Sequence, residues 1–152
     1  MSRIISLIVC TLAGVIQPFL CAEDVAVEFR LAETHPRPGL RAVTVPGSRE
    51  PVYLHQEVAL ADTDIASAQV VTGAKSVQVE FLFTPTGTKK LAKVTKTSVG
   101  RRLAILINGS AVSAPTIQAP IDSGRVVVSG LSSEREARRI VNSIHDNRKR
   151  SP

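Results

Sequence analysis

Apolar residues fall on every second position from Val25 to Leu31, with Ala26, Glu28 and Arg30 between them, which predicts a strand with one buried face. The same period of two returns at Val77, Val79, Phe81 and Phe83. Leu103 to Ile107 is different: an unbroken apolar run, so both faces of that strand must be covered. Asn108-Gly109 follows at once and tolerates the positive φ angles of a type I′ hairpin turn. The chain should then return as a strand from Ser110 to Ile117, through Ala111, Val112 and Ser113. Pro115 has no N–H to donate, which places this return strand at a sheet edge. Arg125 to Ser129 reads as one more short strand.

Helical periods fill the gaps. Thr84-Pro85 supplies an N-cap and a proline at the first helical position. Leu91, Ala92 and Val94 give the helix an apolar side, Lys89, Lys93 and Lys96 a wet side, and Gly100 a stop. Ser133 and Glu136 form a capping box, and Ala137, Ile140, Val141 and Ile144 share one face of a last helix. Asp62 to Ala68 predicts a short helix capped by Asp62 or Thr63. Thr34 to Pro51 carries four prolines and two glycines, an uncommonly long loop of a kind that is often functional. Ala42 to Val45 and Val52 to Leu54 flank Pro46-Gly47 within it as a protruding hairpin. The sum is an α+β fold: a mainly antiparallel sheet of about five to six strands, two longer helices on one face, and one short helix.

The first 22 residues have another character. A basic start at Arg3, an apolar run from Ile4 to Ile16, a break at Gln17-Pro18 and the small residue Ala22 are the parts of a secretory signal peptide, with cleavage expected after Ala22. An uncleaved anchor and acylation at Cys21 are the alternatives; the run is short for a span, and Leu20 is a poor residue before an acylated cysteine. The expected organisation is a signal peptide at 1–22, one domain at 23–147 and a disordered basic tail at 148–152. Both cysteines lie in the leader, so the exported domain has no disulfide framework and no thiol chemistry. Its location is then periplasmic, with no stable membrane span once the leader is removed.

The net charge is +6, and loss of Arg3 with the leader leaves an excess near +5. Basic groups raise the question of nucleic acid, but the chain has no Trp, one Tyr and four Phe, too few aromatics for a stacking platform. Solvated helix faces account for the lysines, and no nucleic-acid partner is expected. His35, His55 and His145 have no partner at metal-ligand spacing and read as surface histidines. There is no nucleophile elbow and no phosphate loop, so no catalytic, cofactor or metal residue is expected.

Several blocks together resemble one family. Arg102-Leu-Ala-Ile-Leu-Ile-Asn-Gly-Ser-Ala-Val-Ser-Ala-Pro115 is similar to the pattern K-R-L-A-I-V-L-D-G-x-V-x-S-A-P of the head of the first periplasmic domain of SecD, the protein-export translocase subunit. Val27 to Leu31, Asp64 to Ala68 as a short helix, Val79 to Leu91, and Gly124 to Ile140 agree with further family blocks in order. The resemblance covers about residues 25 to 146, and Asn108 stands where the family usually has Asp. It implies a periplasmic module that meets preproteins during export. The expected activity is non-catalytic binding of a polypeptide or an export-machinery component. The contact surfaces would be the proline loop (Pro36, Pro38, Val43, Val45) and the edge strand (Ala111, Val112, Ser113, Pro115, Ile117). A small-molecule binder or hydrolase reusing the fold is the alternative, which a deep pocket with converging polar side chains would favour.

Overall fold

The computed structural model describes residues 26–72 and 76–150; the leader and its cleavage position lie outside them. The elements run β1 (Val27–Glu33), β2 (Arg41–Val43), β3 (Val52–Leu54), β4 (Leu60–Ala61), a 3₁₀ turn (Asp62–Asp64), β5 (Ile65–Thr72), β6 (Val77–Phe83), α1 (Pro85–Thr97), β7 (Arg102–Ile107), β8 (Ser110–Ser113), β9 (Arg125–Val128) and α2 (Glu134–Arg150). The fold is α+β with antiparallel strand pairs, as the hydrophobic pattern predicts. The strands form two sheets. The larger has the order β2-β3-β1-β7-β8 with β4 also paired to β1; the smaller is β5-β6-β9.

The organising strand is β7. It pairs with β1 along its whole length, from Val27 opposite Ile107 to Ala32 opposite Arg102. Its alternate residues serve two separate cores. Leu103, Ile105 and Ile107 join Val27 and Phe29 of β1, Phe81 of β6, Leu91 of α1, and Ala137, Ile140 and Ile144 of α2. Ala104 and Leu106 point to the opposite side, with Ala32, Val45, Val52, Leu54, Ala111 and Ala114. The unbroken apolar run is thus explained: each face of β7 has its own cover. The second core fills the concave side of the larger sheet, which curls until its two ends approach each other.

The predicted turn and caps are present. Asn108 (φ 50°) and Gly109 (φ 76°) make the β7–β8 turn, and the Asn108 side chain accepts a hydrogen bond from Ala26 N at 2.9 Å. Thr84 Oγ1 accepts from Gly87 N at 3.0 Å, capping α1. Ser133 Oγ accepts from Glu136 N at 3.2 Å. Glu136 returns its carboxylate one residue further back than an ideal box, to Ser132 N at 2.8 Å.

Two expectations need correction. Ile65 to Ala68 is strand, not helix. Asp62 Oδ1 accepts from Thr63 N and Asp64 Oδ2 from Ala61 N, which closes a single 3₁₀ turn instead of opening a helix. The three-residue spacing of buried Ile65 and Ala68 looks helical, but it arises from a bulge between Ile65 and Ser67 that adds one residue to the strand. The second correction is at the other end. α2 continues past Asn147 to Arg150, and Arg148 Nη1 donates to Ala66 O at 2.9 Å, tying the basic end to β5.

Asp64 ties the 3₁₀ turn to α1. Its carbonyl accepts from Thr84 N at 2.8 Å and its Oδ1 meets Lys90 Nζ at 2.8 Å. Gly87 lies so close that a Cβ there would fall 2.3 Å from Asp64 O, so only glycine fits the first turn of α1.

Candidate functional site

Open edges are the chemistry this fold offers. β2 pairs only with β3, and β8 only with β7, so each turns one row of backbone N–H and C=O groups away from the sheet. Because the sheet curls, these two edges face each other. A groove of about 420 Å³ lies between them, lined by Arg41, Ala42, Val43, Thr44 and Pro46 on one side and Gly109, Ser110 and Ala111 on the other. Arg41 Nη2 reaches Gly109 O at 3.4 Å, so a single side chain spans the gap. A strand inserted between two others needs about 10 Å, twice the usual 4.7–4.9 Å spacing. The edges are only three and four residues long and one carries Arg41, features that discourage uncontrolled strand pairing.

The residues expected at the contact surfaces separate into groups. Val43 and Ala111, predicted on two different surfaces, line this one groove. Pro115 and Ile117 line a second, more apolar groove of about 390 Å³, with Leu103, Pro120 and Val127, beside the free edge of β9. Pro36 and Pro38 are exposed in the loop and line neither groove, while Ser113 is half-buried at the end of β8. Val45, Ala111, Val112 and Ile117 are only 6%, 7%, 7% and 4% exposed; Val45 and Ala111 belong to the second core and Val112 and Ile117 to the first, so their side chains offer little surface to a partner. Alternation along β8 explains Val112, whose side chain faces inward toward the first core.

A polar cluster that the sequence did not suggest sits where β1, β3 and the start of β7 meet. Glu33 Oε1 accepts from Arg101 Nη2 at 2.5 Å and lies 3.1 Å from His55 Nε2. Arg101 Nη2 is also 2.6 Å from that ring nitrogen, which cannot accept from Arg101 and donate to Glu33 at once. His55 is therefore a partnered, half-buried residue, not the plain surface histidine its sequence context implies. Burial raises the Glu33 pKa, but hydrogen bonds from His55 and Arg101 and the charges of Arg101 and Arg37 outweigh it, leaving the carboxyl below its ordinary value. No local signal could reveal this cluster, since its members are 22 and 46 residues apart and only strand pairing joins them.

Among the described residues no group of three or more His, Cys, Asp or Glu side chains is placed to hold a metal. No described helix is long and apolar enough to cross a membrane.

The comparisons with known proteins agree with one another. The chain is 42% identical over 82 residues to the protein translocase subunit SecDF of Thermus thermophilus, covering 53% of this chain and 11% of that protein. It is 31% identical over 137 residues to the protein translocase subunit SecD of Acetobacter pasteurianus, covering 81% of this chain and 26% of the relative. The chain thus spans only about a tenth to a quarter of these relatives. A crystal structure of SecDF in a super-membrane-facing form superposes over 80% of the chain and 18% of its own, with a TM-score of 0.66 at 29% identity. A structure described as a membrane component SecDF that enhances protein export gives 0.64 at 26% identity, over 80% of this chain and 62% of that one. The model of the SecDF P1 head subdomain matches residues 40–147, which leaves only β1 of the larger sheet outside the match. With most of its length covered by that match, the chain belongs to the SecDF P1 head subdomain family.

Proposed function

We propose that this domain is a non-catalytic polypeptide-binding module that serves protein export from the periplasmic side of the inner membrane. It takes a short extended segment of an exported chain, or of an export-machinery component, between the β2 and β8 edges. The observation that carries this reading is the pair of open strand edges facing each other across one shallow groove. Backbone edges bind by strand addition: main-chain hydrogen bonds give affinity whatever the sequence of the guest, which suits a module that meets many different chains. Val43 adds a little apolar surface, and Arg41 holds the acceptor at Gly109 O until a guest N–H replaces it. The relatives named above are translocase subunits, and one is described as enhancing export, which supports the setting.

The test is in-cell photocrosslinking, with the reactive residue at Ala42, at Ser110 and, as a distant control on α2, at Arg139. All three positions are exposed. Adducts to many exported polypeptides or to translocase subunits from the first two positions, and none from the third, are the expected outcome. Absence of adducts from both groove positions, or equal labelling from Arg139, would overturn the reading.

A further inference from the structure

A cleft of about 380 Å³ opens on another side of the molecule, between α1, the β3–β4 connection and the start of β7. Its floor is apolar, made by Leu31, Ala59 and Val94. Its walls carry His55, Lys90, Lys93, Thr97 and Arg101, with Glu57 the one acid among them. The volume lies within the range of roughly 300–1,000 Å³ typical of small-ligand sites, and an apolar floor with a few polar groups is their usual composition.

Charge accounting shows what is missing from this cleft. α1 contains four lysines and no acid. Lys89, Lys93 and Lys96 lie on its exposed side, spaced one turn apart, so each raises the potential at the others. Two of the three nearby carboxylates are already engaged, Asp64 with Lys90 and Glu33 with both Arg101 and His55, which leaves Glu57 as the one acid in a lining that also holds Lys90, Lys93 and Arg101. Among the described residues Lys93 makes no ion pair. Arg101 is held by Glu33 through Nη2, yet its side chain stays 34% exposed.

We infer that this cleft binds an oxyanion of phosphate or carboxylate type carried on a small apolar body, with Lys93 and Arg101 as its charged contacts. The anion supplies the counter-charge that Lys93 lacks and offsets the excess of basic over acidic groups in the lining, while the apolar body rests on Leu31, Ala59 and Val94. This site is separate from the β2–β8 groove, and its occupancy does not depend on strand addition there.

The experiment uses the full chain and follows backbone amide NMR shifts while inorganic phosphate, butyrate, or vesicles of phosphatidylglycerol or phosphatidylcholine are titrated in. The expected result is saturable movement of the amides of Thr97 and Arg101 with phosphate or butyrate. Lys93→Gln should weaken it about fivefold, as befits one charge-assisted contact at a partly exposed site. Lys96→Gln, on the exposed side and outside the cleft lining, should leave it unchanged. Lys93-dependent binding of phosphatidylglycerol vesicles but not phosphatidylcholine, without binding of the free anions, would assign the anion to a lipid headgroup. Failure to saturate in every arm, or an equal effect of the two lysine substitutions, would overturn the proposal. Crosslinking from Ala42 and Ser110 reads the other groove, so the two proposals can fail separately.

Discussion

The two faces of β7 meet unlike surroundings. Leu103, Ile105 and Ile107 enter a core with Phe29, Phe81 and Phe83, whose rings pack edge to face at centroid distances of 6.0 Å (Phe29–Phe81) and 5.3 Å (Phe29–Phe83). Both helices close that core. Ala104 and Leu106 enter the second core, in which four of the eight buried residues are alanine: Ala32, Ala104, Ala111 and Ala114. Alanine lets strands curl tightly toward one another but buries little apolar area per residue, at roughly 25 cal/mol per Å². The first core therefore holds the fold, and the second shapes a thin lobe with two open edges. Low-stability lobes are where binding edges can rearrange at small cost.

This contrast can be broken directly. Phe29→Ala removes the ring at the centre of the first core and should cost about 3–5 kcal/mol in chemical denaturation. Leu106→Ala, equally buried but among alanines, should fall at the low end of about 2–5 kcal/mol, because its small neighbours can collapse into the space. Equal costs would show that the two cores are not different in kind.

A smaller effect tests the turn that carries the β8 edge. Asn108→Ala places a residue with a Cβ-only side chain at φ 50° and removes the acceptor used by Ala26 N, so a loss of about 1–2 kcal/mol is expected. Asn108→Asp keeps the acceptor and the tolerance for that conformation, and should change stability by less than about 0.5 kcal/mol. Hydrogen exchange should show the alanine variant opening β8 more than β6.

The smallest effect concerns the ion cluster that fastens β3 and β7 to β1. Glu33 is lowered from an ordinary value of 4.5, so the folded state favours its charged form. Its contribution is complete above about that value and is lost as pH falls through the lowered folded pKa. The screened, partly exposed partners keep it small. Glu33→Gln should flatten this part of the acid limb of a stability–pH curve while leaving the rest unchanged. An unaltered acid limb would show that the cluster does not fasten the lobe.

Much of this architecture was legible in the residues. The strands at Val77 to Phe83 and Leu103 to Ile107, the Asn108-Gly109 turn, and the helices opened by Thr84 and Ser133 all follow from short-range pattern and capping chemistry. The segment Ile65 to Ala68 has a helical pattern although it is strand, because a bulge imitates the helical spacing of buried residues. Val112 lies on an edge strand, yet both faces of that strand are covered, Ala111 by the second core and Val112 by the first. The Val43 and Ala111 surfaces were each visible, but not their meeting.

The order of local elements, the caps and the demand for cover on both faces of β7 were determined by the sequence itself, since each depends on residues within a turn or two of one another. The division of that cover into two cores, the convergence of the β2 and β8 edges, and the gathering of Glu33, His55 and Arg101 were decided only by the tertiary structure. The physical reason is range: backbone preference acts over a few residues, whereas sheet curl and ion clusters depend on which distant strands pair, and in what register.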